Sequence, residues 1–172
     1  GPAGATLSAA VVEASQGEVP LLVLTADRPH RLRDTDGNQA MDQIRLFGSF
    51  PRAFIEVAPA TAGDAELKHL RGQACRAVAM TGGWPPGPVH LNLPFEKPLE
   101  PQGSAPETEG ISLLALRGRE GSEPFVRVAS RRPGVDREET DRVRDVLSAS
   151  PRGLIVAGPS TDAGKGGAAG VA

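Results

Sequence analysis

The sequence contains few of the residues that mark secreted, membrane or nucleic-acid-binding proteins. Its single cysteine, Cys75, excludes an internal disulfide bond. Its net charge of −2 gives no electrostatic preference for nucleic acid, and no apolar run reaches the length of a membrane span. Tyrosine is absent, and the sequence offers no Gly-x-Ser-x-Gly motif and no self-contained catalytic set. We therefore expect a cytoplasmic protein with neither nucleic acid nor a membrane span among its partners.

The residues that are present suit a packed α/β domain. Apolar residues make up 39% of the chain and charged residues 23%, which is enough to form a core. The continuous apolar run VPLLVLTA is typical of a strand covered on both faces. Strands are predicted at residues 19–26, 52–57 and 88–93. Helices are predicted at residues 4–16, 39–48 and 63–80. Strands that alternate with helices indicate an α/β layered domain with a parallel sheet.

The character of the sequence changes after Pro94, where proline and acidic residues become frequent and indicate an extended connector. Regular patterning resumes with a helix at 136–150 and a buried strand at 152–159. The side chains expected to face inward from this helix are Val143, Val146 and Leu147. These patterns predict that the chain is divided into a first domain at 1–100, a linker at 101–134 and the start of a second α/β domain at 135–172. The sequence opens inside a helix start and ends without a stop signal, so we expect a segment of a longer chain.

The loop after the first strand is the candidate site, because ligands of open parallel sheets bind beyond the carboxyl ends of the strands. Three arginines there could present planar donor groups to a carboxylate or phosphate, namely Arg28, Arg31 and Arg33. Asn38 and Gln39 add neutral donors and acceptors. Composition alone instead favours a solvated loop. In that interpretation the arginines pair with Asp27, Asp34, Asp36 and Asp42.

The other polar candidates give weaker signals. His30, His69 and His90 lack the spacing of metal ligands, so no metal site is assigned. His90 lies within a predicted strand and is expected to be a hydrogen-bonded structural residue. Cys75 lies within a predicted helix, where a small buried residue is expected rather than a nucleophile.

Three stretches of the sequence resemble one enzyme family. PLLVLTADRPHRLRDTDGNQAMDQIRLFG, at residues 20–48, is similar to the pattern Leu-Thr-Ala-Asp-Arg-Pro, then Asn-Gln, then Asp-Gln. That pattern belongs to 2-succinyl-5-enolpyruvyl-6-hydroxy-3-cyclohexene-1-carboxylate (SEPHCHC) synthases, which depend on thiamine diphosphate. GPAGATLSAAVVEA and GPVHLNLPFEKPLEP resemble the flanking stretches in the same order. The resemblance covers residues 1 to about 101, and RGLIVAGP is similar to the start of the family's central domain.

The resemblance implies a fold and a reaction. Residues 1–100 would be the later part of a three-layer, parallel-sheet domain that binds the pyrimidine of thiamine diphosphate. The cofactor, with Mg²⁺, would lie between subunits of a homo-oligomer, either a dimer or a tetramer. The full-length enzyme would decarboxylate 2-oxoglutarate and add the succinyl carbanion to isochorismate in a 1,4-addition, a step of menaquinone biosynthesis.

The resemblance also implies roles for particular residues. Arg28 and Gln39 correspond to family residues that contact substrate, with Asn38 beside them, and Asp27 would orient the loop. Gly1 and Ala3 correspond to a turn near the cofactor. Arg31, Arg33 and most of the aspartates would face solvent. This sequence departs from the family at Asp36–Gly37, where the pattern has Gly-Ala, and at Pro2, where it has threonine.

No catalytic residue or metal ligand is assigned within this sequence. In the family, the glutamate that activates the pyrimidine would precede residue 1, and the Gly-Asp-Gly…Asn motif that holds magnesium and the diphosphate would follow residue 172. The chain by itself is therefore expected to be inactive.

Two other interpretations stay open at this point. An acetolactate-synthase-like enzyme of the same superfamily would act on pyruvate, but its first domain would lack the arginine of Ala-Asp-Arg-Pro. A non-catalytic α/β module would recognise a carboxylated metabolite through Arg28. A complete reading frame that lacked the activating glutamate and the magnesium motif would favour the module.

Overall fold

The computed structural model describes most of the chain and divides it into two units. The described residues are 1–58, 63–100, 103, 108–129, 134, 136–154 and 156. The first unit is Gly1–Ser130 and the second is Arg131–Ala172.

The first unit is built on a sheet of three parallel strands in the order β1-β3-β2. These strands are β1 (Leu21–Asp27), β2 (Ala53–Glu56) and β3 (Pro88–Pro94). Asp27 pairs with Pro94, and Glu56 pairs with Asn92. The carboxyl ends of the strands therefore meet at one edge of the sheet. The predicted α/β class and the parallel sheet are confirmed.

One face of the sheet packs against α2 (Asp64–Thr81). The buried core on this side consists of Val57, Ala77, Val89 and Leu91. Acidic residues in the first turn of the helix suit its partly positive amino end. On this helix Ala77 is fully buried, while Val78, one position later, is 58% exposed. A single step around a helix turns a side chain by about 100°, which is enough to leave the interface.

The opposite face packs against α1 (Ser8–Gln16), which follows a 3-10 helix at Pro2–Leu7. Its core consists of Val11, Val23 and Phe47. Successive strand residues point to opposite faces, so the two cores lie on either side of one sheet. The result is a three-layer arrangement of helix, sheet and helix.

The predicted helix at 39–48 does not form. This segment consists of turns, with the backbone N–H of Leu46 donating to the carbonyl of Gln43 at 3.2 Å. Gln39 and Arg45 have φ angles of +57° and +53°, which are incompatible with a right-handed helix. The Gln43 side chain is instead buried, and its amide donates to the carbonyl of Ala26 at 2.9 Å. Tertiary hydrogen bonding has overridden the local helical pattern.

The predicted linker contains a short helix, α3 (Leu113–Arg117). Ser112 caps its amino end, accepting a hydrogen bond from the backbone of Ala115. Arg71 of α2 donates to the carbonyls of Ala115 and Leu116 at 2.7 and 2.6 Å. These described residues of the linker are therefore attached to the first unit, and the division into domains stays a prediction.

In the second unit, the predicted helix is present as α4 (Arg137–Ala149), which begins after Asp136. The three side chains predicted to face inward, Val143, Val146 and Leu147, are between 50% and 62% exposed. Within the described part of this unit the prediction of a buried face is therefore wrong, because nothing there packs on the helix. The predicted strand at 152–159 lies partly outside the described residues. Leu154 and Val156, which are described, are exposed.

Across the ranges that the structure describes, no helix combines the length and the apolar character needed to cross a membrane.

Candidate functional site

Arg28 lies directly beyond the carboxyl end of β1, where the sequence placed a site. Its backbone N–H donates to Oδ1 of Asp27 at 2.7 Å. Its guanidinium Nη2 donates to the backbone carbonyl of Asn38 at 3.0 Å. The second contact spans the loop, so the guanidinium is held across the base of the loop instead of extending freely into solvent.

The Arg28 side chain borders two cavities at this edge of the sheet. The first, of about 240 Å³, is lined by Gly1, Ala26, Asp27, Arg28, Gln39, Phe95 and Leu99. The second has a volume of about 220 Å³, and its lining includes Arg28, Arg33 and Asp36. Three residues proposed from the sequence, Gly1, Arg28 and Gln39, thus meet around one cavity. Ala3 is not part of its lining, and Asn38 contributes a backbone carbonyl to the loop.

Gln39 reaches this cavity from an unusual backbone conformation. Its φ of +57° lies in the left-handed region, which residues with a side chain rarely adopt. The neighbouring Gly1 approaches it so closely that a Cβ at Gly1 would lie 2.6 Å from the Gln39 carbonyl oxygen. A side chain at position 1 would therefore force this backbone to shift. In this loop Asp36 also has a positive φ, of +55°, and it lies beside Gly37, where the sequence departs from the family pattern.

Four polar side chains form a compact group at the strand ends, and we call Asp27, Arg33, Glu56 and Asn92 the strand-end cluster. Nη2 of Arg33 lies 3.1 Å from Oδ2 of Asp27 and 2.5 Å from Oε1 of Glu56. Nδ2 of Asn92 lies 2.7 Å from Oδ2 of Asp27 and 3.0 Å from Oε2 of Glu56. Two carboxylates from different strands therefore share one guanidinium and one amide.

The strand-end cluster corrects the expectation that Arg33 faces solvent. The Arg33 side chain is only 13% exposed, and its carboxylate partner Asp27 only 3%. Arg31 does face solvent, where it pairs with Glu96 at 2.6 Å. The two arginines differ because the register of the sheet places two carboxylates within reach of Arg33. Asp27 holds the Arg28 backbone, a contact that fits the expected role in orienting the loop.

The pKa of the Asp27 carboxyl is set by opposing effects. Burial alone raises this pKa, because it disfavours the charged form. Hydrogen bonds from Asn92 and Gln43 stabilise the carboxylate, and the backbone N–H of Arg28 and the charge of Arg33 add to them. The pKa of Asp27 is consequently lowered below its ordinary value, and Asp27 is ionised at neutral pH.

Behind the cluster, a buried chain of hydrogen bonds continues into the core. Oγ1 of Thr25 lies 2.8 Å from Oδ1 of Asn92 and 2.7 Å from Nε2 of His90. The Asn92 oxygen can only accept, so the single hydroxyl proton of Thr25 goes there, and Nε2 of His90 must be the donor. Burial lowers the pKa of His90, which favours the neutral ring, and the hydrogen bond to Thr25 places the proton of that ring on Nε2. His90 is fully buried, so its predicted structural role is confirmed.

No family model matches this sequence. Curated proteins do match it, and those described next share one name. The chain is 42% identical over 170 residues to the 2-succinyl-5-enolpyruvyl-6-hydroxy-3-cyclohexene-1-carboxylate synthase of Roseiflexus sp. (strain RS-1), a match that covers 98% of this chain and 29% of the relative. It is 42% identical over 165 residues to the protein of the same name from Halorubrum lacusprofundi, covering 95% of this chain and 26% of the relative.

The chain belongs to the SEPHCHC synthase family. It spans between 26% and 29% of the length of these two relatives, so it corresponds to one segment of each. The resemblance drawn from the motifs of the sequence is confirmed, together with the expectation that the chain is a segment of a longer protein.

The described residues of this chain do not by themselves fit a magnesium diphosphate. Nowhere in the ranges 1–58, 63–100 and 108–129, or in the other described residues, do three His, Cys, Asp or Glu side chains come together as metal ligands. Asp27, the carboxylate that lines the first cavity, is already paired with Arg33. Gly1, which belongs to the turn expected near the cofactor, lines the first cavity.

Sequence reasoning missed Glu56, Asn92 and Thr25. A signal for Asn92 was available, because an amide in the middle of the apolar strand PVHLNL requires a buried hydrogen-bond partner. Glu56 had no comparable signal. Its role depends on β2 lying beside β3 in the observed register.

Proposed function

We propose that the full-length protein is a SEPHCHC synthase. It would decarboxylate 2-oxoglutarate and add the remaining succinyl unit to isochorismate, with thiamine diphosphate and Mg²⁺ as cofactors. The support is the identity with proteins of that name over nearly the whole chain. Most contacts to the cofactors would come from parts of the protein beyond these residues.

The observation that carries the proposal is the position of Arg28. It lies at the carboxyl end of a parallel strand and lines a cavity of about 240 Å³ together with Gln39. A guanidinium binds a carboxylate through two parallel hydrogen bonds, and both proposed substrates carry carboxylates. The hydrogen bond to Asn38 uses one N–H of Arg28, and the guanidinium has further donors for a substrate.

Gln39 would add a neutral donor on the same cavity, with Asn38 holding Arg28 through its carbonyl. Gly1 would allow close approach of the turn that precedes α1, and Ala3 would lie in that turn near the cofactor. Asp27 would orient the loop through the backbone of Arg28. In this proposal the residues of this segment bind the substrate, and none of them takes part in a bond-breaking step.

The proposal extends to the organisation of the whole protein. Residues 1–100 would be the later part of the pyrimidine-binding domain, residues 101–134 a linker, and residues 135–172 the start of the central domain. The full-length protein would be a cytoplasmic homo-oligomer, either a dimer or a tetramer.

The test is the substitution Arg28→Ala in the full-length protein. Loss of the guanidinium leaves a substrate carboxylate unpaired, and we expect catalytic efficiency to fall by an amount equivalent to about 2–4 kcal/mol. Arg31→Ala is the matched control, because Arg31 lies in the same loop, is exposed and pairs with Glu96. Near wild-type activity of Arg28→Ala in a protein that carries out this reaction would contradict the substrate-binding role. Absence of the reaction in the wild-type protein would leave the carboxylate-binding module as the better interpretation.

A further inference from the structure

We propose that Arg33 is a positioning residue, which neutralises Asp27 and Glu56 so that the Arg28 guanidinium stays available to a substrate carboxylate. This inference rests on the proposed role of Arg28 in binding substrate. Arg33 itself does not line the cavity that Gln39 and Gly1 share with Arg28. It would act on the substrate only through Arg28.

Arg33 and Asp27 hold the backbone of Arg28 from both sides. Nε of Arg33 donates to the carbonyl of Arg28 at 3.2 Å, and the N–H of Arg28 donates to Oδ1 of Asp27 at 2.7 Å. Arg33 and Asp27 are themselves joined at 3.1 Å. These three contacts form a ring around the main chain of Arg28. They fix the position from which its side chain leaves the backbone.

The charges of the strand-end cluster give Arg33 a second effect. Asp27 and Glu56 are both within reach of a single guanidinium, that of Arg33, which is mostly buried. In the described residues the other basic side chain within 4 Å of these carboxylates is the imidazole of His30, at 3.9 Å from Glu56, and its side chain is 66% exposed. Interactions between charges in such partly buried surroundings are stronger than at an exposed surface.

Without Arg33, two carboxylates from the strands on either side of β3 would share only the Asn92 amide. Arg28 follows Asp27 directly in the chain, and its guanidinium donates to the Asn38 carbonyl and is paired with no carboxylate of the described residues. We expect it to turn toward Asp27 and Glu56 and away from the cavity. A substrate carboxylate would then compete with two protein carboxylates for Arg28.

This competition predicts a specific kinetic effect. Binding of the substrate weakens, while chemistry on substrate that has bound is little changed, so KM rises and kcat is retained. A purely structural role for Arg33 would instead lower the amount of folded protein and the thermal stability without that pattern. Restoring the net charge of the cluster would not repair a purely structural defect.

The experiment uses the full-length protein and measures kcat and KM for each carboxylate substrate, together with thermal unfolding. Arg33→Gln removes the charge but keeps an N–H donor, and we expect KM for the substrate bound by Arg28 to rise by on the order of tenfold. Arg33→Lys keeps the charge and is expected to retain a KM close to wild type. The double variant Arg33→Gln/Glu56→Gln restores the net charge of the cluster and should bring KM back toward wild type.

An unchanged KM in folded Arg33→Gln would overturn the proposal, as would a double variant that keeps the raised KM. Glu56→Gln alone is an independent check if Arg33→Gln fails to fold. It removes a competitor for Arg28, so its KM should be at or below the wild-type value, and a raised KM would count against the proposal.

The Arg28→Ala variant separates this inference from the proposed function. If Arg28→Ala has no effect, the role of Arg28 in substrate binding is wrong and the role of Arg33 falls with it. If Arg28→Ala weakens catalysis while Arg33→Gln leaves KM unchanged, only the positioning role of Arg33 is wrong.

Discussion

The side-chain amide of Asn92 donates a hydrogen bond of 2.7 Å to the carboxylate of Asp27. This contact ties the last residue of β1 to the neighbouring strand at the edge where the candidate site lies. The same nitrogen also donates to Glu56 at 3.0 Å. One buried amide therefore helps two carboxylates to coexist beside the Arg28 loop.

Replacing Asn92 by leucine should destabilise the protein. Leucine is similar in size but donates no hydrogen bond, so Asp27 and Glu56 would lose their shared amide donor and the Thr25 hydroxyl would lose its acceptor. We expect a loss of about 2–4 kcal/mol in the free energy of unfolding, measured by thermal or denaturant unfolding of the full-length protein. Asn38→Ala is the control, because Asn38 is exposed and contributes its backbone carbonyl to Arg28. Equal stability of Asn92→Leu and Asn38→Ala would show that the amide is not needed.

The stability of the protein should depend on the protonation of His90. Its folded-state pKa is lowered by burial, so as pH falls below about 6.5 the unfolded chain takes up a proton before the folded one does. The free energy of unfolding should therefore decrease from that pH down to the lowered pKa of the folded state. Asp27 acts in the same direction, but only at pH values below about 3.9.

Unfolding midpoints measured across this pH range would test the contribution of His90. His90→Gln retains an N–H that can donate to Thr25 and should reduce the decrease in stability near pH 6.5. His69→Gln, which removes an exposed histidine of α2, should leave the decrease in place. A pH profile that is the same in wild type and His90→Gln would rule out this contribution.

Gln39 should show a conflict between stability and binding. Its φ of +57° is a conformation that costs a residue with a side chain about 1–2 kcal/mol, whereas glycine adopts it freely. Gln39→Gly should therefore be more stable than Gln39→Ala by about 1 kcal/mol, although both variants lose the side-chain amide of a residue that lines the cavity. We expect both to raise KM for a carboxylate substrate to a similar extent. A KM in Gln39→Gly that matches the wild type would show that the amide does not bind substrate.

Much of the fold could be predicted because its signals are local. The apolar run that becomes β1 and the patterns that become α1 and α2 are each formed by residues close together in the chain, although the expectation that β1 is covered on both faces is not met at Leu22 and Leu24, which are exposed. The exception at 39–48 shows the limit of such patterns. There the left-handed conformations of Gln39 and Arg45 and the inward hydrogen bond of Gln43 outweigh a helical arrangement of apolar residues.

The candidate site was likewise predictable from the sequence only in part. The sequence by itself determined that a run of arginines and aspartates follows a buried strand, and that Arg28 lies at the carboxyl end of that strand. Only the tertiary structure decided that Arg33 pairs with Asp27 and Glu56 while Arg31 stays in solvent. The physical reason is strand order and register, which bring Glu56 and Asn92 beside Asp27 across the sheet. Such pairings between residues far apart in the chain leave no periodic trace in the sequence.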